Sequence, residues 1–226
     1  MTDPVLLFHG LGRRAGSMAP MARALRAAGY APHPVAYPST RHPIGDLVER
    51  AVAPEVDRLL GAGAERVHFV THSLGGVLVR AFAAARLDEG RPLPVGSRAV
   101  FLAPPHGGSE VADALHTVWP VRAVLGPALA ELTTGPASVP RGLGPVRGVE
   151  AGVIAGTRRI VPFNHYFADD NDGAVSVESA FSAGGTADTV VVARTHALLM
   201  RAPDVIRLTL AFLETGRFTP DADGRL

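Results

Sequence analysis

The chain contains no cysteine. Disulfides, a thiol nucleophile and a cysteine-ligated metal are therefore excluded. It contains no lysine either, since all 22 basic residues are arginine. That removes Schiff-base chemistry and a Walker-type phosphate lysine. Charge of one sign is not in excess. The formal net charge is +1 and the arginines are scattered, so no nucleic-acid partner is expected. No apolar run approaches the roughly 20 residues that span a bilayer. Met1-Thr2-Asp3-Pro4 leads straight into an apolar strand without a charged leader region. A cytoplasmic location is the expectation, or a secreted one if a leader has been removed.

What is present is material for a core. The chain has 226 residues, of which 47% are hydrophobic, which suits one α/β domain over 1–226. Val5 to Phe8 reads as a buried parallel strand feeding a glycine loop. Ser17 reads as the N-cap of a helix from Met18 to Ala28, stopped by Gly29. Tyr30 to Tyr37 is a proline-broken strand, and Pro38 to Pro43 a loop. Apolar residues at helical spacing run from Ile44 to Leu60. Ser97 to Ala103, Val149 to Ala155 and Thr189 to Ala193 read as further strands, and Pro203 to Glu214 as a closing helix. Strands alternating with helices imply a mostly parallel sheet, with functional groups at the carboxyl ends of the strands.

The most informative stretch is Arg66 to Arg86. An alternating run, Val67 and Phe69, meets a helix-forming run across Thr71-His72-Ser73-Leu74-Gly75-Gly76. A serine at such a strand-to-helix corner is held on a strained turn with its hydroxyl exposed. The Leu74 N–H then points where an oxyanion would form, at the positive end of the helix. Gly75 and Gly76 leave room for the turn and for helix packed on strand. The alternative is a plain glycine turn whose serine only caps the helix.

Nine histidines compete for the role of base. His33, His42 and His116 sit in loops or a variable segment. His68 lies inside a strand, off the apolar phase. His72 adjoins the serine and leaves the corner on another side, so it reads as packing beside the site. His9 suits a ring that ties down the first glycine loop. His106 and His196 each follow a strand at the same sheet edge. For the acid, Asp169, Asp170 and Asp172 share one loop. That loop also reads as a solvated turn or as a calcium site, although no glutamate stands where an EF-hand loop needs its twelfth ligand.

HGLG after the first strand, THSLGG at the corner, APPHGGS after a later strand, NDGAVSVESA and RTHALLM together resemble the α/β-hydrolases, and within them the small bacterial lipases and esterases. The motifs run from Val5 to about Leu213 in the family's order of serine, acid and histidine. Thr71 stands where the family usually has glycine, and Arg13 where many relatives have a small residue. The resemblance implies a minimal α/β-hydrolase fold: about six mostly parallel strands, order 4-3-5-6-7-8 in the family's labels, with helices on both faces. It also implies Ser73 as nucleophile, His196 as general base and acid, and Asp172 as the carboxylate orienting His196. Leu11 and Leu74 would offer the oxyanion-hole N–H groups. It implies no cofactor and no metal.

Ser109 to Gly148 is a long Pro- and Gly-rich insert. One reading is a cap of two short helices over the site, with Leu115 and Trp119 among its apolar residues. The other is an ordinary helix followed by an irregular connection. Trp119, Leu115, His72 and Arg13 are the expected substrate-lining residues, Arg13 by narrowing the mouth or meeting a charge. Asn164-His165-Tyr166-Phe167 reads as an aromatic wall or as core packing. The expected partner is a small-molecule or lipid acyl ester, with transient contact at a lipid interface through the cap. Alternatives are a thioesterase or amidase with the same triad, and a non-catalytic binding protein of the same shape.

Overall fold

The computed structural model describes residues 2–159 and 166–218. Six strands form one sheet: β1 (Pro4–Phe8), β2 (Ala31–Val35), β3 (His68–His72), β4 (Arg98–Leu102), β5 (Glu150–Gly156) and β6 (Asp188–Val192). Their order is β2-β1-β3-β4-β5-β6, and every pairing is parallel. This is the expected order, with β3 and β4 at the centre.

Period-two alternation divides the core into two layers. Leu6, Phe8, Phe69, Phe101 and Val153 join one cluster. Val5, Leu7, Val70, Val100, Leu102 and Ile154 join the other. Over the second layer lie α1 (Ala19–Ala27) and α10 (Pro203–Thr215), which bury Met21, Leu25, Val205, Leu208 and Phe212. The first layer is covered by α2 (Ile44–Leu47), which continues through a π turn (Val48–Val52) into α3 (Ala53–Gly61), and by α4 (Leu74–Asp88). The Ile44 periodicity thus becomes one helical run, with one slip in its hydrogen bonding.

Ser17 does not cap α1. It lies inside a 3-10 turn (Ala15–Met18), where its hydroxyl donates to Arg14 O at 2.8 Å. The helix instead opens with Pro20 in its first turn, where a missing N–H costs nothing. His68, read as off the apolar phase, is buried: its Nδ1 accepts from Arg98 N at 3.1 Å and its ring meets the edge of Tyr30.

The insert is neither of the two arrangements expected. It folds as four short helices: α5 (Glu110–His116), α6 (Trp119–Leu125), α7 (Pro127–Glu131) and α8 (Val139–Gly142). Ser109 caps α5 by accepting from Ala112 N at 3.2 Å. Asp113 ties the segment to itself by accepting from Thr134 N and Thr134 Oγ1 at 2.8 and 2.6 Å. Glu131 ties it to α2 by accepting from Ile44 N at 2.6 Å. A last short helix, α9 (Val177–Phe181), follows the acid loop and is capped by Ser176. Among the described residues no helix is long and apolar enough to cross a membrane.

Candidate active site

β3 ends at His72, and the chain turns at Ser73 into α4. Ser73 has φ 53° and ψ −120°. Among the described residues it shares a positive φ, outside glycine, only with Ala103. Such a conformation costs on the order of 1–3 kcal/mol and persists where its surroundings enforce it. Here Ser73 N–H donates to Leu102 O at 2.9 Å and Ser73 O accepts from Gly76 N. The glycines make the corner possible. A Cβ on Gly75 would stand 2.7 Å from Phe8 O, and one on Gly76 would stand 2.9 Å from Pro104 Cβ. Thr71, in the place of a glycine, fits because Gly76 faces it: a Gly76 Cβ would lie 3.2 Å from Thr71 Oγ1.

Leu74 opens α4, so its N–H has no intrahelical acceptor. The β1 loop lies alongside, since a Cβ on Gly10 would come within 3.2 Å of Ser73 Cβ. Two neighbours of Leu11 are occupied: Arg13 N–H donates to Gly10 O and Gly12 N–H to Ser39 Oγ at 3.1 Å. The His9 ring stacks on Tyr37 at 4.1 Å and donates from Nδ1 to Gly10 O. Tyr37 O–H in turn donates to His9 O. The serine contact with Gly12 and the tyrosine clamp carried no signal in the sequence, because Ser39 and Tyr37 belong to no motif.

The acid loop follows β5. Gly156 at its end leaves room for it, since a Cβ there would stand 2.8 Å from Asp172 Cβ. Asp172 is fully buried. Its Oδ1 accepts from Ala174 N at 3.0 Å and Val175 N at 2.9 Å. Its Oδ2 accepts from His196 Nδ1 at 2.7 Å. A carboxylate can only accept here, so the proton sits on Nδ1 and Nε2 is the free acceptor. The backbone repeats the link, with His196 N–H donating to Asp172 O at 2.9 Å. Asp170 is exposed and pairs with Arg159 at 3.3 Å. Among the described residues no group of three histidine or acidic side chains is gathered as a metal site.

His72 points into the layer of Val70, where it meets the histidine loop. Its Nε2–H donates to His196 O at 2.9 Å, and the two rings lie 4.6 Å apart. Burial, and then the neighbouring His196, holds the His72 pKa well below its ordinary value. The side chain is 1% exposed, so it supports the loop and does not line open space. Arg13 is half-buried and donates to Ala197 O at 3.3 Å. Burial and the neighbouring Arg201 lower its pKa. It thus bridges the β1 loop and the histidine loop.

Ser73 follows β3 and His196 follows β6, so both stand at the carboxyl rim of the parallel sheet, with the His72 ring, next to Ser73 in the chain, 4.6 Å from the His196 ring. Ser73 Oγ makes no hydrogen bond among the described residues, and His196 Nε2 none either. Serine–base contacts of this kind commonly close only with substrate in place. The Asp172–His196 pair orients the imidazole with Nε2 away from the carboxylate. Over the rim, Leu125 of α6 approaches Gly12. Leu115 is half-buried against the core, while Trp119 is 73% exposed. Tyr166 is exposed and Phe167 buried; Asn164 and His165 lie outside the described residues.

No curated protein matches this chain by sequence. Among solved structures, Bacillus licheniformis lipase BlEst2 in its propeptide form is 19% identical with a TM-score of 0.75, over 94% of this chain and 50% of that one. This chain therefore spans about half of that form. The mature form has a TM-score of 0.71 at 19% identity, over 94% and 92% of the two chains. A metagenomic carboxyl esterase is 21% identical with a TM-score of 0.69, over 87% and 65%. The sequence pattern of the alpha/beta hydrolase family matches residues 5–223, and the chain belongs to that family.

Proposed function

We propose that this protein is a serine hydrolase that cleaves carboxylic esters through an acyl-enzyme intermediate. The observation that carries the reading is the buried Asp172 carboxylate, 2.7 Å from His196 Nδ1. It lies at the rim where Ser73 holds φ 53°. Ser73 Oγ attacks the acyl carbonyl while His196 Nε2 takes its proton. Asp172 keeps the tautomer and stabilises the imidazolium. The N–H groups of Leu11 and Leu74 receive the oxyanion, each such donor typically worth roughly 3 kcal/mol of barrier. His196 then returns the proton to the leaving alcohol, and water, activated by the same imidazole, releases the acid.

An ester substrate is supported by the structural neighbours, among them a lipase and a carboxyl esterase. The apolar side chains of α5 and α6 beside the β1 loop suit an acyl chain, with Leu115 and Trp119 as its contacts. Exposed Val118, Trp119 and Val124 give the cap an apolar face for a lipid interface. A p-nitrophenyl ester series of increasing acyl length, run on wild type and Ser73→Ala, tests the reading. Hydrolysis is expected to fall by on the order of a thousandfold or more in the variant. Equal rates in the two proteins would reject it in favour of a binding role. Ester turnover far below that of matched thioesters would move the assignment to a thioesterase.

A further inference from the structure

A cavity lies behind the acid loop, and Ser73, Asp172 and His196 do not line it. Its volume is about 600 Å³, within the range of small-molecule sites. Its walls include Arg80 of α4, His106 of the turn after β4, Glu110 of α5, Arg141 of α8, and Ser176 and Glu178 at α9.

Two of these side chains are buried and incompletely bonded. Arg80 is 2% exposed and His106 1% exposed. The Arg80 Nη groups donate to His106 O at 3.4 Å and to Gly144 O, while Nε–H has no acceptor. Both partners are carbonyl dipoles, and neither cancels the charge. Burial pushes the Arg80 pKa down to about 10. His106 stands edge-on to Phe101 at 5.3 Å, and neither of its ring nitrogens has a partner. Glu110 accepts from Ser176 Oγ through Oε1 at 3.1 Å and leaves Oε2 unpartnered.

A buried guanidinium without a carboxylate is electrostatically incomplete. It has five N–H donors, of which Nε–H and an adjacent Nη–H lie side by side in one plane. That fork matches two oxygens of a carboxylate or phosphate. A neutral imidazole adds one N–H donor beside it. We propose that this cavity binds a small oxyanion-bearing molecule, its oxygens paired side-on with Arg80 and accepting a further N–H from His106. Glu110 Oε2 on the same wall accepts from a ligand hydroxyl. Ser176 links the site to the acid loop, because it bridges to Asn171 next to Asp172.

The test is calorimetric titration of the full chain with sodium butyrate and, separately, with sodium phosphate, at constant ionic strength in chloride. One saturable site is expected for at least one of the two. Binding of butyrate alone assigns a carboxylate ligand, and binding of phosphate alone a phosphate ester. Arg80→Met should abolish the binding. Because that change empties a buried position, two exposed rim charges keep the test independent of folding. Arg141→Gln should weaken binding and Glu178→Gln should tighten it, each by roughly threefold. No saturable binding up to tens of millimolar with either anion overturns the proposal. So does binding that ignores both rim substitutions, since such an anion sits elsewhere, including at Ser73.

Discussion

Asp172→Asn is the most informative single change, because the structure fixes which way the new amide must face. Oδ1 lies before two backbone donors, Ala174 N–H at 3.0 Å and Val175 N–H at 2.9 Å. An amide NH2 placed there would oppose both, and each buried bond left unmade costs roughly 1–3 kcal/mol. The amide oxygen therefore keeps the Oδ1 place, and NH2 turns to His196 Nδ1. Nδ1 must then accept, which moves the imidazole proton to Nε2. That tautomer cannot take a proton from Ser73. Restoring the reactive one sets N–H against NH2 in a buried position, and the charge-assisted bond that steadied the imidazolium is also gone. Together these are worth about 4–6 kcal/mol, or roughly a 10³–10⁴-fold fall in kcat. KM should hardly move, because the carboxylate does not touch substrate. The assay is steady-state ester hydrolysis, with thermal melting to establish that the nearly isosteric variant is folded. Asp170→Asn is the control: its side chain is exposed and, among the described residues, pairs only with Arg159, so a change under about threefold is expected. A folded Asp172→Asn protein keeping more than a tenth of wild-type kcat would refute the reasoning.

Other outcomes follow from packing and burial. Gly75→Ala places a Cβ 2.7 Å from Phe8 O, against backbone that cannot give. It should cost about 2 kcal/mol, or some 4–8 °C in Tm, and lower activity by displacing the Ser73 corner. Gly45→Ala meets nothing within 4 Å and should raise Tm slightly, which a melting comparison of the pair will show. His72 and His106 are both held neutral by burial, their pKa values well below normal. The unfolded chain binds these protons near pH 6.5 while the fold does not, so stability is complete above that pH and falls below it. The slope is about 1.4 kcal/mol per pH unit for each group; urea melts from pH 7 to 5 should show it, and a flat profile would reject the burial of both rings. Trp119→Ala should leave short-chain ester turnover unchanged and raise KM for long-chain esters. Equal effects on both would remove Trp119 from acyl contact.

The sheet was legible because most of its strands are short apolar runs closed by glycine or proline, and six strand segments separated by helical spacing leave little freedom in topology. The acid was not legible from residue types alone. Asp169, Asp170 and Asp172 are chemically equal in the sequence, and what separates them is burial plus two backbone donors. The insert failed for a related reason. Its helices are four to seven residues long, shorter than two turns, so periodicity cannot declare them. They are held in part by polar contacts between residues far apart in the chain, such as Glu131 on Ile44 N.

His72 shows how much a simple rule could have added. Along β3, successive side chains point to opposite faces. Thr71 therefore shares its face with Phe69, under α4, while His72 shares its face with Val70, toward α1 and the histidine loop. Parity alone sends the ring away from α4 and toward the segment carrying His196, where it donates to His196 O at 2.9 Å. The same alternation that builds the two core layers thus sorts the polar residues at the strand's end. It leaves Thr71 to fill the space beside Gly76, and gives His72 the task of holding the imidazole loop against the sheet.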